Sequence, residues 1–464
     1  MSALNEKGIA LPIVVAVTAI VTILGFTAAY LVESQASLNL HFINNKKALY
    51  YAEAGMYEYL WRLNKDSKFY EHDDDFIFDG GVPRVHDVPG GHYQLAIDDP
   101  ATDRPVVTIR ATGWPDRDPG NRSTIAVEVH KRQFVQHIYL SGEEQTPDGE
   151  EVWWITGDEA WGPLHTNGTL HIDGDPVFHD RVTYSVGIEE RWGSNPVYEA
   201  GPPEKVAPLV FPASNSQLKT QALLNGYYYN GRTCILLNGD QVVIRHRDGA
   251  AETRPLPPNG VIYVDGSTSG SKWDLNTGNA FVSGTLDGRL TIAAAKDVYI
   301  TAKDPTNFNY DSAAPTGGVL YADADFDPEG GMTDDMLGLI AGGYVRILHY
   351  GWPHSQPPYY RNGNRDVAPY NITIHAALFA LNWSFEYEDY DRGALKGVIN
   401  LTGSITQKYR GAVGTFSSWS GNRLTGYNKH YMHDPRMLYD TPPHFLEPVN
   451  AGWEIVNWRG APNP

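Results

Sequence analysis

An uncharged apolar run near the start of the chain limits most strongly how the protein can fold. From Ile9 to Val32 the sequence contains no Asp, Glu, Lys or Arg, and Lys7 stands just before it. As a helix this run is about 36 Å long, enough to cross a hydrocarbon core of about 30 Å. A lysine on the short side favours keeping that end in the cytoplasm. We therefore expect one membrane-spanning helix, with the bulk of the chain outside.

The helical pattern continues beyond the apolar run. No proline lies between Pro12 and Pro83, and apolar residues recur along one face at intervals of 7, 4, 7, 7 and 7 residues. The spacing predicts one helix over 9–63, about 80 Å long, which packs through this stripe against other helices. The stripe consists of Leu31, Leu38, Phe42, Leu49, Met56 and Leu63.

Two simpler interpretations of the N-terminus are a cleaved secretory signal and a plain membrane anchor. A signal would use a small-residue site such as Thr27–Ala29. The amphipathic continuation argues against removal of the segment, because the apolar run and the stripe then form one helix. The plain anchor stays open as an alternative.

Two short motifs resemble those of the type IV pilin and type II pseudopilin family. The stretch Lys7–Leu11 (KGIAL) is similar to a prepilin cleavage junction, and Ala48–Met56 (ALYYAEAGM) resembles a segment of PilX-type minor pilins. The resemblance implies that a prepilin peptidase cuts after Gly8, that Ile9 is then methylated, and that the helix joins other pilins in a filament. Major pilins carry glutamate where this chain has Ile13. The chain therefore resembles a low-copy minor subunit.

Three strand-like runs with apolar alternation follow the helix and are separated by Asp-, Pro- and Gly-rich turns. They are His92–Ile97, Pro105–Thr112 and Arg122–Arg132. They predict a small antiparallel sheet, and the resemblance implies that the helix packs on it. The expected units are a leader (1–8), the helix (9–63), the sheet (64–135) and a head (136–464).

In the head, short apolar runs alternate with glycine and asparagine, and no pattern predicts a helix. Apolar positions recur every 18 to 20 residues at Ile262/Val264, Val282 and Ile300, with Leu290/Ile292 between the last two. This period predicts a right-handed parallel β-helix, or β-solenoid, with a sandwich or several small β domains as the alternative. The fold class is therefore α+β: a pilin-type helix and sheet followed by a mainly-β head. Further strands are predicted at 337–341, 344–348, 371–381 and 398–404.

The head also resembles, over much of 150–460, the exported heads that follow PilX-type N-termini. The stretches that carry this resemblance are Gly162–Gly168, Gly284–Ile292, Leu337–Ala341 and His433–Met437. It implies an architecture and no particular chemistry.

The net charge and the cysteine content indicate which partners are disfavoured and whether a disulfide can stabilise the chain. The formal net charge is −19, which disfavours nucleic acid as a partner because phosphates are repelled. Cys234 is the single cysteine, so no intramolecular disulfide can form. Its apolar neighbours predict a buried side chain.

An alternating acidic loop is the candidate metal site. Carboxylates at this spacing suit Ca²⁺, which takes six to eight oxygen ligands. Pro328 stands where an EF-hand-type loop needs glycine, so a solvated loop is the alternative reading. The candidate ligands are Asp323, Asp325, Asp327, Glu329 and Asp334.

Aromatic residues in two loop-like stretches are the candidate ligand surface, because flat rigid rings suit stacking on sugars. The alternative is that these rings pack on the wall of the head. The residues are Trp352, Tyr359, Tyr360 and Trp419. The sequence shows no phosphate loop, dinucleotide fingerprint, zinc-type cysteine pairing or serine-nucleophile elbow. We therefore expect no catalytic residues, no enzymatic activity and no cofactor, apart from the calcium hypothesis.

The expected function is that of a non-enzymatic minor pilin with an assembly, tip or adhesion role. Its partners would be other pilins, the bacterial cytoplasmic membrane, a prepilin peptidase and a carbohydrate or other surface ligand. One alternative is a membrane-anchored enzyme acting on polysaccharide, which requires a carboxylate pair in a groove of the head. A further alternative is a DNA-uptake tip pilin, which requires a basic patch.

Overall fold

The computed structural model describes residues 10–99, 106–307, 314–324, 326, 334–351, 366–417 and 422–461. The chain divides into two compact units. The first is formed by the chain up to Lys131 and from Gly452 onward, and the second by Arg132–Ala451.

The helices are α1 (Ala10–Lys65), α2 (Asp74–Ile77) and α3 (Ser216–Asn225), with 3-10 turns at Phe69–Glu71, Phe134–Gln136, Pro305–Asn307 and Pro435–Leu438. Strands β1 to β16 are Phe78–Asp79, Val82–Pro83, Val85–Val88, Gly91–Asp98, Val106–Pro115, Ser123–Lys131, Tyr139–Glu143, Trp154–Ile155, Glu159–Ala160, Leu164–Thr166, Thr169–Asp173, Val177–Phe178, Val182–Tyr184, Gly187–Glu190, Val197–Tyr198 and Glu204–Lys205. Strands β17 to β32 are Tyr227–Asn230, Thr233–Gly239, Gln241–His246, Glu252–Pro255, Val261–Asp265, Ala280–Leu286, Arg289–Ala294, Val298–Ile300, Gly318–Tyr321, Met336–Ala341, Val345–Ile347, Ile372–Ala380, Phe385–Tyr387, Leu395–Tyr409, Gly426–His433 and Trp453–Ala461.

The predicted long helix is confirmed as α1, which runs to Lys65. It is long and apolar enough to cross a membrane. Between Leu11 and Val32 its large apolar side chains are 53% to 74% exposed. This part of α1 is apolar all round, which is typical of a helix that contacts lipid or other helices.

The second half of α1 packs on an antiparallel sheet. The sheet has the strand order β3-β4-β5-β6-β32, so the three predicted strands are confirmed as β4, β5 and β6. The helix face that meets the sheet is fully buried and follows helical spacing. It consists of Ala48, Ala52, Met56, Tyr59 and Leu63.

The predicted apolar stripe divides between these two halves. Met56 and Leu63 are fully buried in the core of the first unit, and Leu49 is partly buried against it. Leu31, Leu38 and Phe42 are 55%, 65% and 59% exposed. Part of the stripe therefore belongs to the core of the first unit and part is exposed. The spacing of apolar residues along one helix face does not distinguish these two environments.

The predicted boundary of the head is wrong at the C-terminus. Strand β32 pairs antiparallel with β6, for example Trp458 with Val127, and so belongs to the first unit. Trp453 at its start is buried in the core around α1. The two strands are more than 320 residues apart in the sequence, so no local pattern predicts that they pair.

In the first part of the second unit, each strand pairs in parallel with the strand that comes three places later in the chain. Three such ladders form between Tyr139 and Lys205: β7-β10-β13-β16, β8-β11-β14 and β9-β12-β15. Each turn of chain therefore places its strands beside those of the turn before.

A further parallel ladder continues from β7 in the opposite direction. Its order is β21-β23-β26-β28-β30-β7, and it aligns five core residues with Tyr139. Strand β7 thus pairs with β10 on one side and with β30 on the other. The aligned core residues are Ile262, Ile292, Leu339, Leu378 and Ile405.

The predicted period of 18 to 20 residues holds only in part. Val282 pairs with Ile300 as the period requires, but Ile262 pairs with Ile292 rather than with Val282. Strand β22 lies between β21 and β23 in the sequence but pairs in parallel with β18 and β24. Strands that lie next to each other in the sequence therefore pair with different strands, and a spacing of 18 to 20 residues does not identify the partners.

Two further expectations for the head have clear outcomes. The prediction that the head contains no helix is wrong, because α3 lies there and buries Leu218 and Ala222. Its two buried residues are too few to give a visible helical period. The prediction that Cys234 is buried is confirmed, since its exposure is 0% and burial raises the pKa of its thiol to about 12.

Candidate functional site

A cleft of about 1090 Å³ opens on the second unit. Its wall comes from the loop before β22, from the segments around β24 and β27, from the segment that contains β29, and from the end of β30. We call it the aromatic cleft and define it by Trp273, Tyr299, Tyr344, Arg346, Trp383 and Glu388.

Strand register brings the central side chains of this wall together. In β24, β27 and β29, Tyr299 is aligned with Arg346, and Arg346 with Glu386. Their neighbours in each strand point into the apolar core, so these three side chains point to the opposite face. The parallel ladder thus places an aromatic ring, a guanidinium and a carboxyl side by side.

Three ion pairs fix the charged groups. The Nε of Arg346 donates to Oε1 of Glu386 at 2.7 Å, and its Nη1 lies 3.9 Å from Oδ2 of Asp297. The Nζ of Lys272 lies 2.5 and 2.6 Å from the two carboxylate oxygens of Glu388. All five side chains are at least three-quarters buried, so their positions are set by packing as well as by charge.

The surroundings shift the pKa values of Glu386 and Glu388 in opposite directions. Burial raises the pKa of Glu386 to about 7, because the nearby carboxyls of Glu388 and Asp297 add to it and Arg346 does not compensate fully. Burial also acts to raise the pKa of Glu388, but Lys272 and the backbone N–H of His349 outweigh it, so that pKa is lowered. Glu388 lines the cleft, whereas Glu386 is not part of its wall.

Aromatic rings form two stacks at the cleft. Trp383 lies 5.6 Å from Tyr344 and 6.0 Å from Tyr409 between ring centroids. Trp273 stacks on Phe281 and Phe281 on Tyr299, both at 4.9 Å. The first stack is open to solvent at Trp383, which is 40% exposed.

Asp389, next to Glu388, also lines the cleft. Its φ is 48°, a left-handed conformation that is uncommon outside glycine and is most tolerated by Asn and Asp. Such backbone conformations cluster at ligand sites. The side chain is exposed at the mouth of the cleft.

The predicted calcium site is only partly within the described residues. Asp325, Asp327 and Glu329 lie outside them. The carboxylates of Asp334, Asp335 and Asp287 lie within 4.8 Å of one another and could hold a cation. The carboxylate of Asp335 also accepts hydrogen bonds from the backbone N–H groups of Gly288 and Asp323.

A second group that could hold a metal ion was not predicted. The carboxylates of Glu151 and Glu189 and the imidazole of His171 lie within 4.8 Å of one another. Strands β11 and β14 align His171 with Glu189, whose Oε2 lies 3.4 Å from Nδ1. Residues 18 apart in the sequence gave no metal-ligand spacing, so only the parallel pairing reveals the group.

The predicted ligand surface and cleavage junction lie outside the described residues. They are Trp352, Tyr359, Tyr360 and Trp419 for the surface, and Gly8 and Ile9 for the junction. No sequence motif pointed to the aromatic cleft, although apolar and acidic residues alternate in Phe385–Glu388. This stretch supplies Glu388 to the wall and Glu386 to the ion pair with Arg346. Such alternation is typical of a strand whose charged side chains all point away from the core.

No protein-family model matches the sequence, and no curated protein matches it. Among solved structures, one similar chain is the competence-associated pilin ComZ from Thermus thermophilus. The sequence identity is 11%, the TM-score is 0.29, and the match covers 90% of this chain and 97% of ComZ. An identity and a TM-score this low do not show a shared fold.

Proposed function

We propose that this protein is a minor, pilin-type filament subunit that holds its second unit outside the cell. The observation that carries the proposal is the division of α1. Its first half is apolar and exposed from Leu11 to Val32, and its second half is buried on an antiparallel sheet through Ala48 to Leu63. A helix of this design can stand in lipid and later exchange lipid for neighbouring helices.

The same helix is the proposed contact with partners. The exposed stripe residues Leu31, Leu38 and Phe42 would pack against the helices of other pilins. Ile13 supplies no carboxylate for a neighbour's α-amino group, which supports a low-copy position in the filament. Before assembly the helix would cross the cytoplasmic membrane once, with its N-terminus in the cytoplasm.

We propose further that the second unit is a right-handed β-solenoid. Its support is the set of parallel ladders, in which strands from successive turns of chain align core residues such as Ile292, Leu339 and Leu378. Parallel strands need crossovers, and stacked turns supply them without helices. An assembly, tip or adhesion role of this head needs no enzymatic activity and no cofactor.

Mass spectrometry of the mature N-terminus tests the pilin proposal. Full-length protein would be recovered from membranes and from sheared filaments of the native host. A chain that begins at methylated Ile9 is the expected result. An N-terminus near Ala29, or an uncleaved chain in filament fractions, would contradict it.

A pair of glycine variants sharpens this test. Gly8→Leu is expected to block processing and to keep the chain out of filaments. Gly25→Leu changes a glycine of the same helix where an added Cβ meets no other atom within 4 Å, so processing should continue. Equal processing of both variants would be inconsistent with cleavage after Gly8.

A surface enzyme acting on polysaccharide is the second candidate. Asp297 and Glu388 place two carboxyls in the wall of the aromatic cleft, as glycoside hydrolysis requires. One of the pair must be protonated to act as the acid, yet the pKa of Glu388 is lowered and Glu386 is not in the wall. Release of reducing ends from polysaccharides by the full-length protein, abolished in Glu388→Gln, would favour the enzyme.

A further inference from the structure

We propose that the aromatic cleft binds an uncharged glycan chain. The cleft is formed by residues of the second unit alone, so glycan binding there does not depend on how the N-terminus is processed. It also does not require catalysis.

The size and openness of the cleft suit a chain of sugar rings. Its volume of about 1090 Å³ lies just above the range for small-molecule sites, which is about 300–1,000 Å³. A single monosaccharide would leave much of this space filled with water. A segment of several rings would fill it.

The aromatic side chains supply the surface that a sugar needs. Sugar rings have C–H faces that pack on aromatic carbon and hydroxyl edges that require hydrogen bonds. Trp383 is 40% exposed, and its ring centroid lies 5.6 Å from that of Tyr344 and 6.0 Å from that of Tyr409. Because its neighbours fix this ring, it loses little conformational entropy when a ligand packs on it.

The charged groups in the wall suit an uncharged ligand. The described wall carries four cationic side chains and three carboxyls, and most are already paired within the protein. Lys272 is bound to Glu388, Arg346 to Glu386, and Lys408 lies 3.3 Å from Glu143. Paired ions keep spare donors and acceptors for hydroxyl groups but offer little net charge to a polyanion.

Single-stranded nucleic acid is the main alternative ligand, because its bases also stack on aromatic side chains. Its binding needs a groove of unpaired cations that follows the phosphates. Internal pairing of Lys272 and Arg346 removes that feature here. The net charge of −19 acts in the same direction.

Binding of defined oligosaccharides to the full-length protein tests the inference. The chain would be kept in a zwitterionic detergent, since detergents with sugar headgroups compete for the site. Neutral probes are maltohexaose, cellohexaose, xylohexaose and chitohexaose; hexagalacturonate and oligothymidylate are the charged probes. Tryptophan fluorescence should report saturable binding of a neutral probe.

Tryptophan variants provide the matched control. Trp383→Ala is expected to weaken the binding of that neutral probe about tenfold, because it removes the exposed stacking surface. Trp192 is fully exposed and lines no part of the cleft, so Trp192→Ala should leave binding unchanged. Tyr409→Leu should weaken binding as well, which covers the case that Trp383→Ala fails to fold.

Three outcomes would overturn the inference. The first is that no neutral probe binds. The second is that hexagalacturonate or oligothymidylate binds more tightly than every neutral probe. The third is that Trp383→Ala and Tyr409→Leu, both folded, bind the neutral probe as the unchanged protein does.

Discussion

Arg410 and Glu144 lie in the interior of the second unit, with side chains 3% and 1% exposed. The Nη1 of Arg410 donates to Oε2 of Glu144 at 2.8 Å, and the guanidinium lies 4.3 Å from the ring of Trp154. The two residues are 266 positions apart and join the region of β7 to the end of β30. When one partner of such a buried ion pair is removed, the other charge stays buried without compensation, which strongly destabilises the fold.

Removal of Arg410 should therefore destabilise the second unit strongly. Arg410→Met leaves the carboxylate of Glu144 buried without a countercharge, at an expected cost of about 3–5 kcal/mol in the free energy of unfolding. Arg181→Met breaks an exposed pair with Glu204, whose side chains are 60% and 57% exposed, and should cost about 1 kcal/mol or less. Urea denaturation measures both. Equal costs would show that the buried pair is not coupled to stability.

Glu386 gives stability a specific pH dependence. Its pKa rises from the usual 4.5 to about 7 on folding, so the folded protein binds this proton more tightly than the unfolded chain. The resulting stability is fully present below about pH 4.5 and is lost as pH rises through about 7, a change of roughly 3 kcal/mol.

The variant Glu386→Gln isolates this contribution, since it cannot ionise and keeps a hydrogen-bonding amide. The stability of the unchanged protein relative to the variant should fall as pH rises from about 4 to about 8. Denaturation at several pH values gives the difference. A difference that is constant over this range, or that increases with pH, would contradict the prediction.

At the scale of elements, the close approach of α1 to β5 organises the first unit. Gly113 in β5 faces the helix, and a Cβ there would lie 2.3 Å from the backbone N of Ala52 and 2.4 Å from the carbonyl O of Ala48. The small residues on both sides let the helix axis lie near the sheet. Backbone atoms cannot move aside as a flexible side chain can, so the contact tolerates no added atom.

Gly113→Ala is expected to push α1 away from the sheet and to destabilise the first unit by about 1–3 kcal/mol. Gly120→Ala is the matched control, because Gly120 lies in the turn between β5 and β6 with nothing within 4 Å of its Cβ position. Thermal unfolding of the two variants should separate them. Similar midpoints for both would mean that the helix can shift without cost.

At the scale of the whole molecule, the chain enters and leaves the second unit between adjacent strands of one sheet. Strand β6 ends at Lys131, and β32 begins at Trp453 and pairs with β6. The first unit is therefore incomplete until the second has been synthesised. Within the second unit, β7 is shared by ladders that reach it from both sides.

Truncation after Ala451 tests this dependence. Loss of β32 removes the partner of β6 and the buried Trp453, so the amides of Ser123–Lys131 should exchange with solvent much faster. Amides of the second unit, such as those of Met336–Ala341, should be unchanged. Hydrogen exchange of the full chain and of the truncated chain gives the comparison. Unchanged protection of β6 would mean that the edge strand is dispensable.

Much of the first unit was predictable from local patterns. The apolar run and stripe predict α1 to within a few residues, and alternation predicts β4, β5 and β6, because both depend on periodicities of adjacent positions. The strands near Leu337–Ala341, Tyr344–Leu348, Asn371–Leu381 and Val398–Ser404 are confirmed for the same reason.

The aromatic cleft and the strand order were decided by tertiary structure. Tyr299, Arg346 and Glu386 become neighbours only through parallel pairing across 40 and 47 positions, and insertions of unequal length separate the paired strands. The return of β32 to β6 is likewise set by pairing and not by any local motif. Local periodicity was sufficient to predict α1 and the strands with clear alternation, but not α3, which buries only two residues. The partner of each strand depends on which complete arrangement buries the most apolar surface, and only the folded chain decides that.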